Sequence, residues 1–424
     1  MLVVKGATLI TISGPVIQGG ALVVEDDRFT YVGPLEEMPP VAPGAQVIEA
    51  EGMAALPGLV NAHTHAAMTL FRSYADDMPL KQWLEEKIWP REAHLTREDI
   101  YWGTKLALAE MIRSGTTTFA DMYFHMDGVA RAVLEAGVRA CLCEGLIGNR
   151  DFLYRRLKAG VDFALKWRGA GEGRITTMLG PHAPYTCPED YLKRVAEEAA
   201  KHGLGIHIHL AETSQEVEEH RAKYGLSPVL WLREIGILDL PLLAAHCVHL
   251  EEKDMEVLAE KGAKVAHCPE SNLKLASGVA PVASLLARGV NVALGTDGAA
   301  SNNNLDMLEE ARTAALLSKG ISGDPTVLPA PQALHMATLG GARALNLDKE
   351  IGSLEAGKKA DFILIDLNQP HLFPPNDVVA HLVYSASGRD VDTVVVDGKI
   401  LMHRRELKTL DLEEIYFQVK RRMA

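Results

Sequence analysis

Apolar and polar positions follow two rhythms along this chain. Near the ends, short runs rich in Val, Ile and Thr are broken by Gly and Asp and read as strands: Leu2 to Ile12, Gly20 to Val32, Ala360 to Leu367 and Val391 to Met402. Asp397-Gly398 lies inside the last run and marks a hairpin turn. In the middle, strand-length apolar runs alternate with helical stretches. The strand candidates are Met53 to His65, Thr116 to Met122, Val138 to Leu146, Arg174 to His182, Leu204 to Glu212, Leu242 to His249, Ala263 to Pro269 and Val290 to Asp297. Thr96 followed by Asp99 opens a helix in capping-box style and Gly115 closes it; Pro188 suits the first turn of another that ends at Gly203. This alternation predicts an α/β fold with a parallel sheet, and the number of units predicts a closed (β/α)8 TIM-like barrel. The strand-rich ends, residues 1–55 and 356–424, would meet as one small discontinuous β-sandwich domain beside a barrel of residues 56–355.

Composition narrows the classes. The 424 residues are 47% hydrophobic and 23% charged, a globular balance with length for two or three domains of roughly 150 residues. Lys and Arg number 43 against 56 Asp and Glu, a net charge of −13 with no basic cluster, which repels phosphate backbones and anionic membranes. A nucleic-acid strand and a membrane are thereby set aside as partners, while a small neutral substrate stays open. The first residues lack the pattern of a signal peptide, and no apolar run approaches the roughly 20 residues that span a bilayer. Cys141, Cys143, Cys187, Cys247 and Cys268 form no CxxC pair and fit reduced, buried thiols of a cytoplasmic protein.

Residues that strands usually avoid gather at the carboxyl ends of these strands. The first ends in Asn61-Ala62-His63-Thr64-His65, the fifth in His207-Ile208-His209-Leu210-Ala211-Glu212. The sixth carries Ala245-His246-Cys247-Val248-His249 and the eighth ends in Gly295-Thr296-Asp297-Gly298. Two His at i and i+2 share one face of a strand, and barrel enzymes assemble their sites from several strands at the carboxyl end. Three imidazoles and a carboxylate make a nitrogen and oxygen set suited to Zn²⁺ or Fe²⁺. His207 has the parity of His209 but lies two residues deeper, so it is expected to pack or to support. His249 and His267 read as packed or hydrogen-bonded. Trp83 and Trp89 read as packing residues, and Glu92, from composition alone, as a solvated carboxylate.

These motifs resemble the amidohydrolase superfamily over nearly the whole chain. The likeness rests on Leu56-Pro57-Gly58-Leu59-Val60-Asn61-Ala62-His63-Thr64-His65, His209-Leu210-Ala211-Glu212, Ala245-His246-Cys247-Val248-His249, Leu294-Gly295-Thr296-Asp297-Gly298 and Gly357-Lys358-Lys359-Ala360-Asp361. Within the superfamily the chain is most similar to the branch that deaminates 5′-methylthioadenosine and S-adenosylhomocysteine, through Trp83 to Glu92, Gly180 to Tyr185, Ser271 to Leu275 and Thr296 to Asn303.

The resemblance implies His63, His65, His209 and Asp297 as ligands of one divalent metal per subunit, zinc first and iron second. Arg174 to His182 contains no Lys, the residue that bridges two metals in dinuclear relatives, which favours a single ion. Glu212, His246 and Asp297 would handle protons in the hydrolytic deamination of an adenine ring. Glu92 would bind the ribose hydroxyls, His182 the nucleoside, and Trp83 would wall the pocket. Arg156 and Arg150 are the candidates for the 5′ end of the substrate. Glu144 stands where the family places an arginine, and facing a substrate carboxylate it would disfavour S-adenosylhomocysteine relative to methylthioadenosine, adenosine or 5′-deoxyadenosine. A homo-oligomer is also implied. The alternative reading is a deaminase or chlorohydrolase of a free base or triazine (guanine, cytosine or s-triazine type), which shares the ligand set and differs in the loops.

Overall fold

The computed structural model describes residues 1–147 and 150–423, with the backbone alone over 150–153. Eight parallel strands stand side by side in sequence order: Leu59–Thr64, Thr116–Tyr123, Arg139–Leu146, Ile175–Pro181, Gly205–Leu210, Leu242–His246, Lys264–His267 and Asn291–Leu294. Helices connect them with the expected punctuation. Helix Arg97–Arg113 opens on a complete capping box, Thr96 and Asp99 each taking the other's backbone N–H. Helix Glu189–His202 follows Pro188 and stops at Gly203, which turns left-handed at φ 61°. Among the described residues no helix is long and apolar enough to cross a membrane.

The eighth strand returns beside the first, but the two are not joined by a strand ladder among the described residues. One side chain sews the seam instead. Asn61 donates from Nδ2 to Thr296 Oγ1 (2.7 Å) and accepts from the Thr296 N–H (3.0 Å). The Asp297 N–H then donates to the His63 carbonyl at 3.0 Å. Gly295 allows this approach, because a Cβ there would lie 2.8 Å from the His63 nitrogen. The barrel is thus closed by residues adjoining those with chemistry.

Both ends of the chain build a second, nine-stranded mixed sheet. Leu2–Leu9 pairs with Ile17–Glu25, Gln46–Glu49 and Met53–Pro57, and Met53–Pro57 pairs in turn with Phe362–Asp366 from the far end of the sequence. The run Met53 to His65, expected as one strand, is therefore two. It breaks at Gly58, whose N–H goes to Asp361 at 3.0 Å and whose Cβ, if present, would sit 2.0 Å from Thr117 Oγ1. Likewise Val391 to Met402 folds back at Asp397-Gly398, with φ values of 47° and 71° that suit a tight hairpin.

A buried ion cluster ties this sheet to the barrel. Arg139 opens the third barrel strand and donates to both oxygens of Asp361 (2.9 and 3.1 Å) and to Asp397 (2.6 Å). All three side chains are 3% exposed or less. Removing one member of a buried ionic group strands the opposite charges in a low dielectric. Arg139→Ala is expected to cost about 3–5 kcal/mol of stability by chemical denaturation. A loss below about 1 kcal/mol, the scale of an exposed pair, would show that the cluster does not depend on Arg139, although Arg174 and Lys359 approach only Asp397.

Candidate active site

The sequence-predicted polar residues meet at the carboxyl ends of the barrel strands. The backbone turns sharply there: Ala211 (φ 52°), His246 (φ 71°), Cys247 (φ 51°) and Asp297 (φ 62°) are all left-handed without being glycine. Such conformations cost on the order of 1–3 kcal/mol each and persist where the surroundings over-determine them. Here the turns lie within or beside the residues whose side chains enter the mouth.

His65 and His209 bring their Nε2 atoms to 3.2 Å from each other, and Asp297 Oδ1 lies 3.3 Å from His65 Nε2 and 3.4 Å from His63 Nε2. The opposite ring nitrogens are committed. His65 Nδ1 faces the Met122 carbonyl at 2.6 Å and His209 Nδ1 the His182 carbonyl at 2.7 Å. A carbonyl only accepts, so each Nδ1 carries the hydrogen and, in the neutral ring, each Nε2 is a bare acceptor. Burial lowers His63 to about 4 and holds His209 well below its ordinary value, which keeps those rings neutral. His63 Nε2 is buried without a hydrogen-bond partner. Bare acceptors and a carboxylate converging in a dry site repel unless a cation joins them. The set His63, His65 and Asp297 and the set His63, His209 and His246 each bring ligand atoms within 4.8 Å of one another. The donors thus fit a divalent metal of the zinc or iron type.

Asp297 is held from behind. Ser271 and Ser301 both donate to its Oδ2, at 2.7 and 2.8 Å, leaving Oδ1 for the imidazoles. Burial alone would raise this carboxyl, but the imidazoles of His63 and His65 beside it hold it well below the usual range. Glu212 is in the opposite position. Burial raises it, only partly offset by His246, whose Nε2 lies 3.7 Å from Glu212 Oε2. For His246 burial is outweighed by the nearby Glu212 and Asp297 carboxylates, so it rises above the ordinary histidine value. Asn272 Oδ1 lies 2.9 Å from His246 Nδ1 and orients the ring.

These groups open onto one cavity, whose lining includes His65, Glu92, His182, Glu212, His246 and Asp297. Glu92 is not a solvated carboxylate. It accepts a 2.6 Å hydrogen bond from Tyr123, and burial raises it. His182 lines the wall and is turned by Thr186, 3.0 Å from its Nδ1. Trp83 lines the cavity while donating to the Ala75 carbonyl at 2.9 Å. Trp89, read from sequence as packing, also lines it.

The 5′-end expectations fare differently. Arg156 is outside the main cavity and borders an adjoining hollow with Trp89, Glu92, Phe124, His125 and Thr186; it donates to the Gly145 carbonyl at 3.0 Å. The side chain of Arg150 lies outside the described residues. Glu144 lines neither space. Its oxygens take the backbone N–H groups of His125 (3.3 Å) and Met126 (3.1 Å), at the start of helix Met126–Ala136. That helix has no side-chain cap from His125, and Glu144 supplies the missing acceptors. Glu144 is thus engaged in holding the start of that helix.

Sequence reasoning missed Tyr123, Ser271, Ser301 and Asn272 as parts of this site. Ser271, Asn272 and Ser301 lie inside segments that carried the family likeness, which was the available signal.

Imidazoles and acids gathered at the carboxyl face of an eight-stranded parallel barrel define the class of barrel enzymes. The amidohydrolase family model matches residues 54–401, and the chain belongs to that family. It is 68% identical over 422 residues to the 5-methylthioadenosine/S-adenosylhomocysteine deaminase of Moorella thermoacetica, covering 100% of this chain and 99% of the relative. It is 55% identical over 423 residues to the protein of the same name from Pelotomaculum thermopropionicum, covering 99% and 98%. Among solved structures, an adenosine deaminase from Xanthomonas campestris with bound zinc superposes with a TM-score of 0.93 at 38% identity, covering 100% of this chain and 98% of that one.

If the acceptors meet around an ion, removing them empties the site selectively. Purified His65→Ala and Asp297→Asn are expected to lose most bound divalent metal after gel filtration, while Glu212→Gln retains it, as measured by elemental analysis. Full metal content in Asp297→Asn would remove that carboxylate from the ligand set.

Proposed function

We propose that this chain hydrolytically deaminates the adenine ring of 5′-methylthioadenosine, S-adenosylhomocysteine and related adenosines, adenosine and 5′-deoxyadenosine among them. The products are the inosine analogue and ammonia. The observation that carries this reading is Glu92, a half-buried carboxylate held by Tyr123 in the same cavity as Glu212, His246 and Asp297. A carboxylate there suits a ribose diol, which a free base or a triazine lacks. The names of the relatives at 68% and 55% identity support the same substrates. Glu144, engaged by backbone N–H groups, raises no objection to S-adenosylhomocysteine, and Arg156 borders the hollow beyond Glu92.

One ion, zinc rather than iron, is the cofactor in this reading, supported by the three-imidazole, one-carboxylate donor set and by the zinc in the Xanthomonas structure. Held by His63, His65, His209 and Asp297, it would lower the pKa of water from about 15.7 towards about 7. The chain's own groups do the rest. Asp297, kept ionised, orients the attacking water and accepts its proton. Glu212, raised by burial, delivers a proton to ring N1 and so makes C6 electrophilic. His246 steadies the new oxygen and helps pass a proton to the amino group. The C6–O bond forms, the C6–N bond breaks, and ammonia leaves. All five cysteines are buried free thiols, which supports a reducing compartment such as the cytoplasm.

Metal-replete protein offered methylthioadenosine, S-adenosylhomocysteine, 5′-deoxyadenosine, adenosine and guanine is expected to convert the adenosines, followed as the ultraviolet change from adenine to hypoxanthine. Guanine as the sole substrate, judged by ammonia release, would overturn the nucleoside reading. Glu212→Gln is expected to lower kcat about 10²–10⁴-fold, the range of a general acid–base group, with metal retained. Glu92→Gln is expected to lower kcat/KM for adenosines about 10–100-fold, the worth of one charged hydrogen bond.

A further inference from the structure

We propose that His207 and Cys143 act as a hydrogen-bond relay that holds His63 in the tautomer able to bind the ion. His207 sits two residues below His209 on the fifth barrel strand, 1% exposed, with no place in the chemistry described above. Its Nε2 lies 2.8 Å from His63 Nδ1. Its Nδ1 lies 3.8 Å from the Cys143 sulfur, and that thiol donates to the Asp121 carbonyl at 3.5 Å. Among the described residues His63, unlike His65 and His209, has no backbone carbonyl against Nδ1 to decide where its hydrogen goes. Another imidazole can donate or accept, so the tautomer of His63 is settled one step further out.

The order of hydrogens follows from the end of the chain. The Asp121 carbonyl only accepts, so the thiol hydrogen points to it and the sulfur offers lone pairs to His207 Nδ1–H. His207 Nε2 is then an acceptor, Nδ1 of His63 carries the hydrogen, and His63 Nε2 faces the mouth bare. In the reverse order His63 would carry its hydrogen on Nε2, aimed at Asp297, and would be excluded from the ligand set. Outer partners of metal-binding histidines commonly work this way, through a carboxylate or a carbonyl. Here the buried histidine and thiol take that part, which makes both positioning residues.

The inference rests on the reading of His63 as a ligand, and the test separates the two. Zinc affinity of the loaded protein is measured by competition with a chromophoric chelator, with circular dichroism to confirm folding. His207→Leu, which offers no acceptor, is expected to bind zinc about 10–100-fold more weakly, the loss typical of a removed outer partner. His207→Gln, whose amide oxygen can accept from His63 Nδ1–H, is expected to recover most of that loss. Cys143→Ala is expected to weaken binding by a smaller factor in the same direction. His63→Ala is the control. If it binds zinc as the parent does, His63 is not a ligand and the site reading itself fails. If His63→Ala loses zinc while His207→Leu keeps the parent affinity, the relay is refuted. Should His207→Leu not fold, unchanged affinity in Cys143→Ala refutes it instead.

Discussion

Two imidazole Nε2 atoms face each other across 3.2 Å while backbone carbonyls hold their Nδ1 atoms; acceptors set so close repel, and the mouth of this barrel is organised around that repulsion. Folding brings the acceptors together because their far sides are anchored: His65 and His209 to backbone carbonyls, Asp297 to two serine hydroxyls. Left-handed turns at Ala211, His246 and Asp297 aim the chain at the same point. The protein therefore bears the cost of pre-organisation in its fold, and a cation bound there would turn the unfavourable contacts into favourable ones.

The same enclosure separates the acids. Asp297 and Glu212 are both buried carboxylates, yet one sits beside His63 and His65 and stays ionised, while the other is governed by its loss of water and rises. Groups whose surroundings push them apart in this way can divide acid from base work within one pocket. Glu216 contributes from behind. Its carboxylate takes the N–H groups of Ala211 (3.1 Å) and Glu212 (2.8 Å), fixing the bend that carries Glu212 into the cavity.

Much of this was legible in the sequence where the signal is local. The barrel strands were visible as apolar runs, the Thr96–Asp99 box as a helix start, and the His63 and His65 pair through its spacing. What failed was non-local. The break at Gly58 depends on Thr117 and Asp361, remote in the chain but in contact in the fold. The engagement of Glu144 with the start of helix Met126–Ala136 answers the lack of an acceptor there, a need that no pattern around position 144 discloses. Tyr123 looks like any aromatic in a β-run, and only its 2.6 Å approach to Glu92 gives it a part.

The seam between the last and first staves has a consequence for mechanics. A regular ladder would spread cohesion over many amides, whereas among the described residues one asparagine, one threonine and a single main-chain bond, from Asp297 to His63, carry the polar links across it. An ion gripped by side chains from both margins would act as a clasp across this thin joint. Loading the protein would then stiffen the whole cylinder as well as arm it, so occupancy and resistance to heat should rise together.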